Sequence, residues 1–558
     1  MTPRAPAALL TLLCCLACTR KEGAAPSDVG GGDAGAGTSA ASGTSAGGSA
    51  GTSAGSGGTS VTAGNGGSGN GAGSGGSGPA PVNDGPGAVF VHLFEWKWSD
   101  IALECETFLG PNGFAAVQVS PPSEHAVLAN YPWWQRYQTV SYALDKSRSG
   151  TKAEFEDMVS RCKAAGVGIY ADTVINHMTA QTSGTGSNGT EYTKYEYPGL
   201  YTAADFHEPV CQIQGTDYAS NADAVQNCEL LALSDLDTGN PSVQQRIADY
   251  LTSLLAMGVR GFRIDAAKHM APAELDTIIG LVDASQSEQK PYYFLEVIDY
   301  GGEAISSTQY LDVGATANAE IDVTEFRFTR ISDAFLNANG ANLASLADLA
   351  SSQSLPSDRA VVFSNNHDTQ RGAAIYYADG AYYDLANVFL LAWPYGYPQL
   401  MSSFAFNRSV AVGRDQGPPS DGMGNTTSVY DESGQPVGCA ASPATALPGA
   451  WVCEHRTPSL VQMMAFRKAT AAALDVTDFW TNGANQVAFG RGALGFVVLN
   501  REDAALDQSL QTSLPAGTYC NVLSADGCSQ TVAVDAQGLA AVSLSANTAA
   551  AFYVGKSP

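Results

Sequence analysis

Four short segments of the chain put ionisable residues where an apolar run stops. DTVINH carries Asp172, Asn176 and His177. GFRIDAAKH carries Arg263, Asp265, Lys268 and His269. FLEVID carries Glu296, and FSNNHD carries Asn366, His367 and Asp368. A buried carboxylate is costly unless it is paired. Side chains two apart on a strand share a face, so a plain salt bridge would account for Arg263 and Asp265. It does not account for three carboxylates and two histidines gathered at one rim. Asp265, Glu296 and Asp368 within reach of one ligand are the groups of a glycosidase. Two carboxyls about 5–5.5 Å apart suit the retaining reaction, in which one attacks the sugar carbon and the other protonates the leaving oxygen. Arg263 beside Asp265 would keep that carboxylate ionised, as a nucleophile requires. Partial burial and a neighbouring carboxylate would raise Glu296, as a proton donor requires. Asp368 would hold sugar hydroxyls and favour an oxocarbenium-like transition state.

These residues need elements that bring them together. Short apolar runs alternate with amphipathic stretches from Ala88 onward. Strand candidates are VFVHLF (89–94), AAVQVS (115–120), GIYADTVI (168–175), GFRID (261–265), YYFLEVI (292–298), AVVFSNN (360–366) and QLMSS (399–403). Helix candidates are residues 100–109, 152–166, 243–258, 271–286 and 383–393. In the third of these, Val243, Ile247, Leu251, Leu254 and Leu255 fall on one helical face. Strand and helix in alternation over this length imply parallel strands, and a (β/α)8 barrel suits them, with its chemistry at the C-terminal strand ends. An open doubly wound sheet is the other candidate, but no Gly-rich phosphate turn follows the first strand. The barrel is expected over 88–175 and 238–473. Residues 176–237 are polar, aromatic and too long for a loop, so they should form a small inserted domain after the third strand. Residues 474–558, with NQVAFGRG, LGFVVLN, AGTYCNVL and AAFYVG, read as an all-β C-terminal domain, a β-sandwich.

Composition narrows the function. The chain has 558 residues with 28 Lys and Arg against 54 Asp and Glu, a formal charge of −26. That argues against nucleic acid as a partner. A hydrophobic content of 44% supports a sizeable core, and no apolar run reaches the roughly 18 residues of a membrane span. Residues 1–18 read as a secretory signal, with Arg4 before an apolar stretch and Ala17 before Cys18. Cys18 after Leu16 and Ala17 suggests a lipoprotein, acylated at Cys18, although Cys15 stands where a Leu is usual. Residues 19–87 are mostly Gly, Ser, Ala and Thr and read as a flexible tether. The rest would then act outside the cytoplasm, secreted or lipid-anchored at a bacterial surface, as a monomer.

Three of the 11 cysteines lie in the signal, leaving eight for four disulfides. Cys439/Cys453 and Cys520/Cys528 are close in sequence and expected to pair, with Cys105/Cys162 and Cys211/Cys228 next. A zinc site is the competing use, but no Cys-x-x-Cys with partner histidines is present.

The four polar segments, in this order and spacing, closely resemble the signature segments of the α-amylases of glycoside hydrolase family 13. VHLFEWKWSDIALECE, PWWQRYQ, LMSS, WVCEHR and NQVAFGRG add likeness to that family's animal-type subgroup, which some bacteria share. The resemblance covers roughly 88–555. It implies Asp265 as nucleophile, Glu296 as proton donor and Asp368 as transition-state stabiliser. Asp172, His177, Arg263, Lys268 and His367 would line the site. Trp133, Trp134, Tyr137 and Gln138 would lie along the glucan, since an aromatic face stacks on a sugar ring. One Ca²⁺ is implied, bound by the side chains of Asn176 and Asp235 and the backbone carbonyls of Gln226 and His269. Water would complete its 6–8 oxygens. Animal-type members often bind chloride. Arg263 and Asn366 match two of its ligands, but the third position is Gln399, so activity independent of chloride is expected. A subgroup disulfide is missing, for neither YALDKSRSG nor INHMTA has a Cys. The glycine-rich, His-bearing loop after NNHDTQRG is missing as well. The resemblance implies endo-hydrolysis of α-1,4-glucosidic bonds in starch or glycogen. The alternatives are a glycosyl-transferring or short-product-releasing relative and a non-catalytic glucan-binding surface protein.

Overall fold

The computed structural model describes residues 87–285, 290–317, 319–440 and 442–558. The signal, Cys18 and all of the expected tether but its last residue lie outside them.

Eight parallel strands close into a barrel in the order of the chain. They are β1 (Phe90–Leu93), β2 (Ala116–Val119), β3 (Gly168–Thr173), β4 (Gly261–Ile264), β5 (Tyr292–Leu295), β6 (Glu320–Thr324), β7 (Ala360–Val362) and β8 (Tyr397–Ser402). The open sheet is thereby excluded. The sixth strand is the one to which the sequence assigned no run. Its five residues, EIDVT, alternate two acids with apolar side chains, and Asp322 accepts a hydrogen bond from Tyr292 Oη at 2.7 Å. A polar side chain buried inside the barrel hid the strand from a search for apolar runs.

The principal helices are α1 (Trp98–Glu104), α2 (Lys152–Ala164), α3 (Pro241–Ala256), α4 (Pro272–Ala284), α5 (Ile331–Leu336), α6 (Ala381–Ala392) and α7 (Pro458–Ala469). Their starts follow local rules. Thr151 and Glu154 form a capping box at α2. Asn240 caps α3, with Pro241 in its first turn. Val243, Ile247, Leu251 and Leu254 of α3 are buried, as the periodicity required.

The barrel has an aromatic floor. Phe90, Tyr170, Tyr292, Phe294, Phe363 and Tyr397 are all buried there, with Phe90 and Tyr397 ring centroids 4.7 Å apart. This packed layer blocks any pore and leaves the upper interior to polar groups.

At the C-terminal end of the chain, strands β9 (Thr477–Thr481), β10 (Gln486–Arg491), β11 (Gly495–Asn500), β12 (Leu506–Gln511), β13 (Gly517–Cys520), β14 (Thr531–Val534), β15 (Leu539–Leu544) and β16 (Thr548–Tyr553) follow. They form two four-stranded antiparallel sheets, β9-β10-β11-β16 and β12-β15-β14-β13. Phe496, Val498, Leu510, Val542 and Phe552 share their core. Buried Arg491 ties this domain to the barrel by donating to the carbonyls of Ala392, Thr470 and Ala473.

All four expected disulfides are formed: Cys105–Cys162, Cys211–Cys228, Cys439–Cys453 and Cys520–Cys528. No helix among the described residues is long and apolar enough to cross a membrane.

Candidate active site

Above the aromatic floor the barrel carries a hydrogen-bonded polar layer. The parallel register sets Arg263 on β4 opposite Asp172 on β3. Arg263 Nη1 donates to Asp172 Oδ1 at 2.6 Å and to Asp265 Oδ1 at 2.8 Å. Its Nη2 lies 2.5 Å from Glu296 Oε1. One guanidinium therefore holds three carboxyls from the ends of three adjacent strands. Gln118 Nε2 and Tyr137 Oη both donate to Asp172 Oδ2 at 3.0 Å. Gln399 Nε2 in turn donates to Gln118 Oε1. Glu296 Oε2 accepts from the backbone N–H of Ala266 at 2.9 Å, and that turn is left-handed at Ala266, with φ +50°.

Asp368 completes the rim. Its Oδ2 lies 3.3 Å from His367 Nε2, and it is the most accessible of the four acids, with 35% of its side chain exposed. His367 stacks on Tyr137 with ring centroids 5.0 Å apart. Burial and the charge on Arg263 hold His367 well below the usual histidine range. Burial likewise brings His177 down to about 4, and its Nε2 pairs with the Tyr137 carbonyl at 3.0 Å. Both rings are thus neutral near pH 7 and offer hydrogen bonds without charge.

Three carboxyls on the one guanidinium of Arg263, with Asp368 beside them facing Arg371, leave excess negative charge at the rim. Burial pushes Asp265 well up, and Glu296 and Asp172 add to it while Arg263 opposes. Burial also raises Asp172, against Arg263. Burial, then the charge of Glu296, lifts Asp368 to about 7, against Arg263 and Arg371. Burial thus raises Asp172, Asp265 and Asp368 together, and Arg263 is the cation that opposes the rise in all three. The expected asymmetry, with Arg263 serving Asp265 alone, is not found, because the forked guanidinium reaches Glu296 as well.

The aromatic residues expected along the glucan occupy a short turn, Trp133–Tyr137. Trp133 is only 4% exposed. Its Nε1 donates to the Arg414 carbonyl at 3.0 Å and its ring lies edge-on to His367, so it is packed beside the rim with little surface free. Trp134 is half-buried and presents more surface. Gln138 Oε1 accepts from Ala180 N at 3.1 Å. Lys268 sits apart from the acids, pairing with Glu303 and the Ile298 carbonyl above the Tyr218 ring.

The four residues expected to hold a cation fall into two pairs. His177 and Asp235 form an antiparallel bridge, and Leu236 N donates to the Asn176 carbonyl at 3.0 Å, so Asn176 and Asp235 are neighbours. His269 Nδ1 donates to the Val225 carbonyl at 2.9 Å, next to Gln226. Burial lifts Asp235 to about 6; His207, whose Nδ1 is 2.7 Å away, opposes this while Glu229 and Glu274 reinforce it. One carboxylate, one amide and two carbonyls are hard oxygen donors, and a surplus of negative charge surrounds them. This donor chemistry is the kind a Ca²⁺-type cation takes, although no group of three or more His, Cys, Asp or Glu that could hold a metal is found among the described residues.

Two further participants were missed. Gln118 is a lone amide inside the apolar run AAVQVS and links Asp172 to Gln399. Arg371, three residues after Asp368, donates to the His367 carbonyl at 2.5 Å and lies under the rings of Phe406 (4.4 Å) and Trp133 (4.5 Å). A polar residue in an apolar strand and an arginine in the NNHDTQRG segment were the signals for them.

Comparison with known proteins agrees with this geometry. Residues 113–398 match the family described as "Alpha amylase, catalytic domain", and 479–555 match "Alpha amylase, C-terminal all-beta domain". The chain belongs to the α-amylase family. It is 45% identical over 445 residues to an alpha-amylase of Thermomonospora curvata, covering 78% of this chain and 67% of that one. It is 43% identical over 456 residues to an alpha-amylase of Pecten maximus, covering 78% and 84%. Among solved structures, alpha-amylase I of Eisenia fetida superposes with a TM-score of 0.74 at 37% identity, covering 84% of this chain and 98% of the other. One such structure is a Glu→Gln mutant in complex with maltohexaose. The chain is accordingly an α-amylase-type glycoside hydrolase acting on α-glucans.

Proposed function

We propose that the chain cleaves internal α-1,4-glucosidic bonds of starch or glycogen with retention at the anomeric carbon. Asp265 is the nucleophile, Glu296 the acid/base and Asp368 the group that holds sugar hydroxyls. The convergence of Asp172, Asp265 and Glu296 on Arg263 is the single observation that carries the reading. A glucosyl unit between Asp265 and Glu296 is attacked at its anomeric carbon by an Asp265 oxygen. Glu296 gives its proton to the departing glycosidic oxygen as that bond breaks. Water then attacks the glycosyl ester, passing a proton to Glu296 and freeing Asp265. Asp172 and Arg263 hold the two carboxyls at their separation. Neutral His177 and His367 accept or donate to hydroxyls, and Trp134 carries the sugar face.

The Eisenia fetida alpha-amylase I that is similar in structure has been solved as a Glu→Gln mutant with maltohexaose, an α-glucan of the substrate class proposed here. The test is reducing-end release from soluble starch by wild type and by Glu296→Gln, with product anomers followed by NMR. Equal rates in the two proteins, or an initially β product, would overturn the assignment.

Asn176 and Asp235 through side chains, and Gln226 and His269 through carbonyls, would hold Ca²⁺. Its contribution is structural: it would fasten the loop after β3, the segment before α3 and the loop after β4, which also carries Lys268. A chelator should lower the melting temperature, and Ca²⁺ should restore it. A melting temperature indifferent to both would remove the ion. The disulfides suit an oxidising, extracellular place of work. Acylation of Cys18 would hold the enzyme at the cell surface.

A further inference from the structure

We propose, on the glucan hydrolase reading above, that His92 is a positioning residue of the site: its imidazole fixes the orientation of His367, and through it the hydrogen bond that His367 offers to Asp368 or to a sugar hydroxyl. His92 lies on β1. Strand alternation puts it on the face of Phe90, whose ring belongs to the aromatic floor. It therefore points into the barrel, one layer above that floor. In the parallel register it stands opposite Gln118 of β2 and Met401 of β8. Its side chain thus shares the polar layer with Arg263, yet no step of the reaction above uses it.

An imidazole is a costly choice there. His92 is fully buried, and neither ring nitrogen has a hydrogen-bond partner among the described residues. A neutral imidazole carries one N–H donor and one acceptor nitrogen. Each, when buried and unpaired, gives up its hydration with nothing in its place. Protonation offers no way out, because burial and then the charge of Arg263 hold His92 well below the usual histidine range. A phenyl ring would fill much the same space and leave nothing unpaired. Packing alone does not account for a histidine at this position.

The neighbouring rings do. The His92 ring stands perpendicular to that of His367, with centroids 5.3 Å apart and an interplanar angle of 87°. Phe94 lies 5.3 Å from His92 and 5.2 Å from His367. Tyr137 stacks on His367, and Trp133 stands perpendicular to it at 5.6 Å. The polar atoms of Tyr137 and Trp133 are already engaged, by Asp172 and by the Arg414 carbonyl. Phe94 has none. Of these rings around His367, His92 alone keeps a polar edge unbonded. An aromatic edge is positive and an aromatic face negative, and an N–H strengthens that edge. Perpendicular packing of the two imidazoles therefore favours one orientation of His367 over the flipped one. A flip would put a ring carbon where Nε2 now lies, 3.3 Å from Asp368 Oδ2, and the hydrogen bond at the rim would be lost.

The test is a double-mutant cycle. His92→Phe should lower kcat on soluble starch about three- to thirtyfold, the coupling of two side chains in contact. KM should move less than kcat, and the melting temperature should stay close to that of wild type. In a His367→Ala background the same substitution should have no further effect on kcat. His92→Leu, equally apolar, carries the cycle should the phenyl variant not fold. A second readout needs no turnover. The chain has seven histidines, so isotopic nitrogen labelling of histidine gives ring signals that substitution can assign one by one. His367 should populate a single tautomer in wild type and a mixture in His92→Phe. Losses in kcat that multiply in the double variant, or an unchanged His367 tautomer, would overturn the positioning role. So would a fall in stability with kcat intact. Should wild type release no reducing ends from any glucan, the function proposed above fails, and the nitrogen spectra alone decide whether His92 orients His367.

Discussion

Two buried clusters in this molecule use the same ingredients to opposite ends. At the barrel rim three carboxyls share one guanidinium, that of Arg263, and a fourth, Asp368, stands beside them. Behind α1, Glu104 stands alone among partners. It is fully buried, and accepts from His455 Nε2 at 2.8 Å, Arg456 Nε at 2.8 Å, Arg456 Nη2 at 2.5 Å and Tyr430 Oη. Burial would raise Glu104, but the hydrogen bonds and charge of His455 and Arg456 outweigh it and bring it to about 2. At the rim, burial wins and Asp368 rises to about 7. The difference is stoichiometry. A carboxylate with an excess of donors is a clamp. Here it joins α1 to the WVCEHR segment that returns the long loop after β8. Carboxylates with a deficit of cations are pushed up by burial instead, as Asp265 and Asp368 are.

The sharpest way to separate the two is to neutralise one acid in each. Glu296→Gln should reduce kcat on soluble starch by about 10²–10⁴, the range of a lost general acid, while the protein melts no lower than wild type. It removes one charge from a cluster that has too many. Glu104→Gln should do the reverse. Breaking a buried ion pair leaves Arg456 uncompensated and costs about 3–5 kcal/mol of stability by denaturant titration. The folded fraction should turn over as wild type does. A Glu104→Gln protein that kept its stability but lost turnover would erase the distinction.

The rim was legible in the sequence because its residues are out of place. Carboxylates and histidines where apolar strands end are hard to explain as structure. Glu104 was not legible as a clamp. It lies within ALECE, on an ordinary amphipathic helix, and its partners come from residues 430–456, far along the chain. The fold was legible to the same degree. Seven strands stood out as apolar runs, whereas β6 hides Asp322 inside the barrel. The sharing of Arg263 between Asp265 and Glu296 was also invisible, since strand order fixes which residues are neighbours but not how a forked side chain divides itself.

The clusters should also bend stability in opposite directions with pH. The depressed Glu104 contributes stability that is present above its ordinary value of 4.5 and is lost as pH falls toward about 2. The raised Asp368 contributes stability that is present below its ordinary 3.8 and is lost as pH rises through about 7. Asn does not titrate. Asp368→Asn should therefore gain melting temperature on wild type between pH 4 and pH 8, even as it loses activity. A difference that stays constant over that interval would show that Asp368 bears no excess charge.

The smallest expected effect concerns an anion, and it tests whether the rim's charge is set by the chain alone. At the third position where animal-type relatives often place a basic chloride ligand stands Gln399. Its amide is not idle, since Nε2 donates to Gln118 Oε1, and Gln118 donates onward to Asp172 at 3.0 Å. A neutral amide committed to this relay adds no positive potential, and Arg263 is already occupied by three carboxyls. An anion entering here would meet surplus negative charge without a second cation to hold it. Chloride titrated into halide-free enzyme at constant ionic strength should leave kcat unchanged, with the acid limb of the pH profile in place. A saturable rise in kcat would mean that Arg263 releases a carboxyl to the anion, and the charge balance drawn for the rim would have to be rebuilt around two ligands.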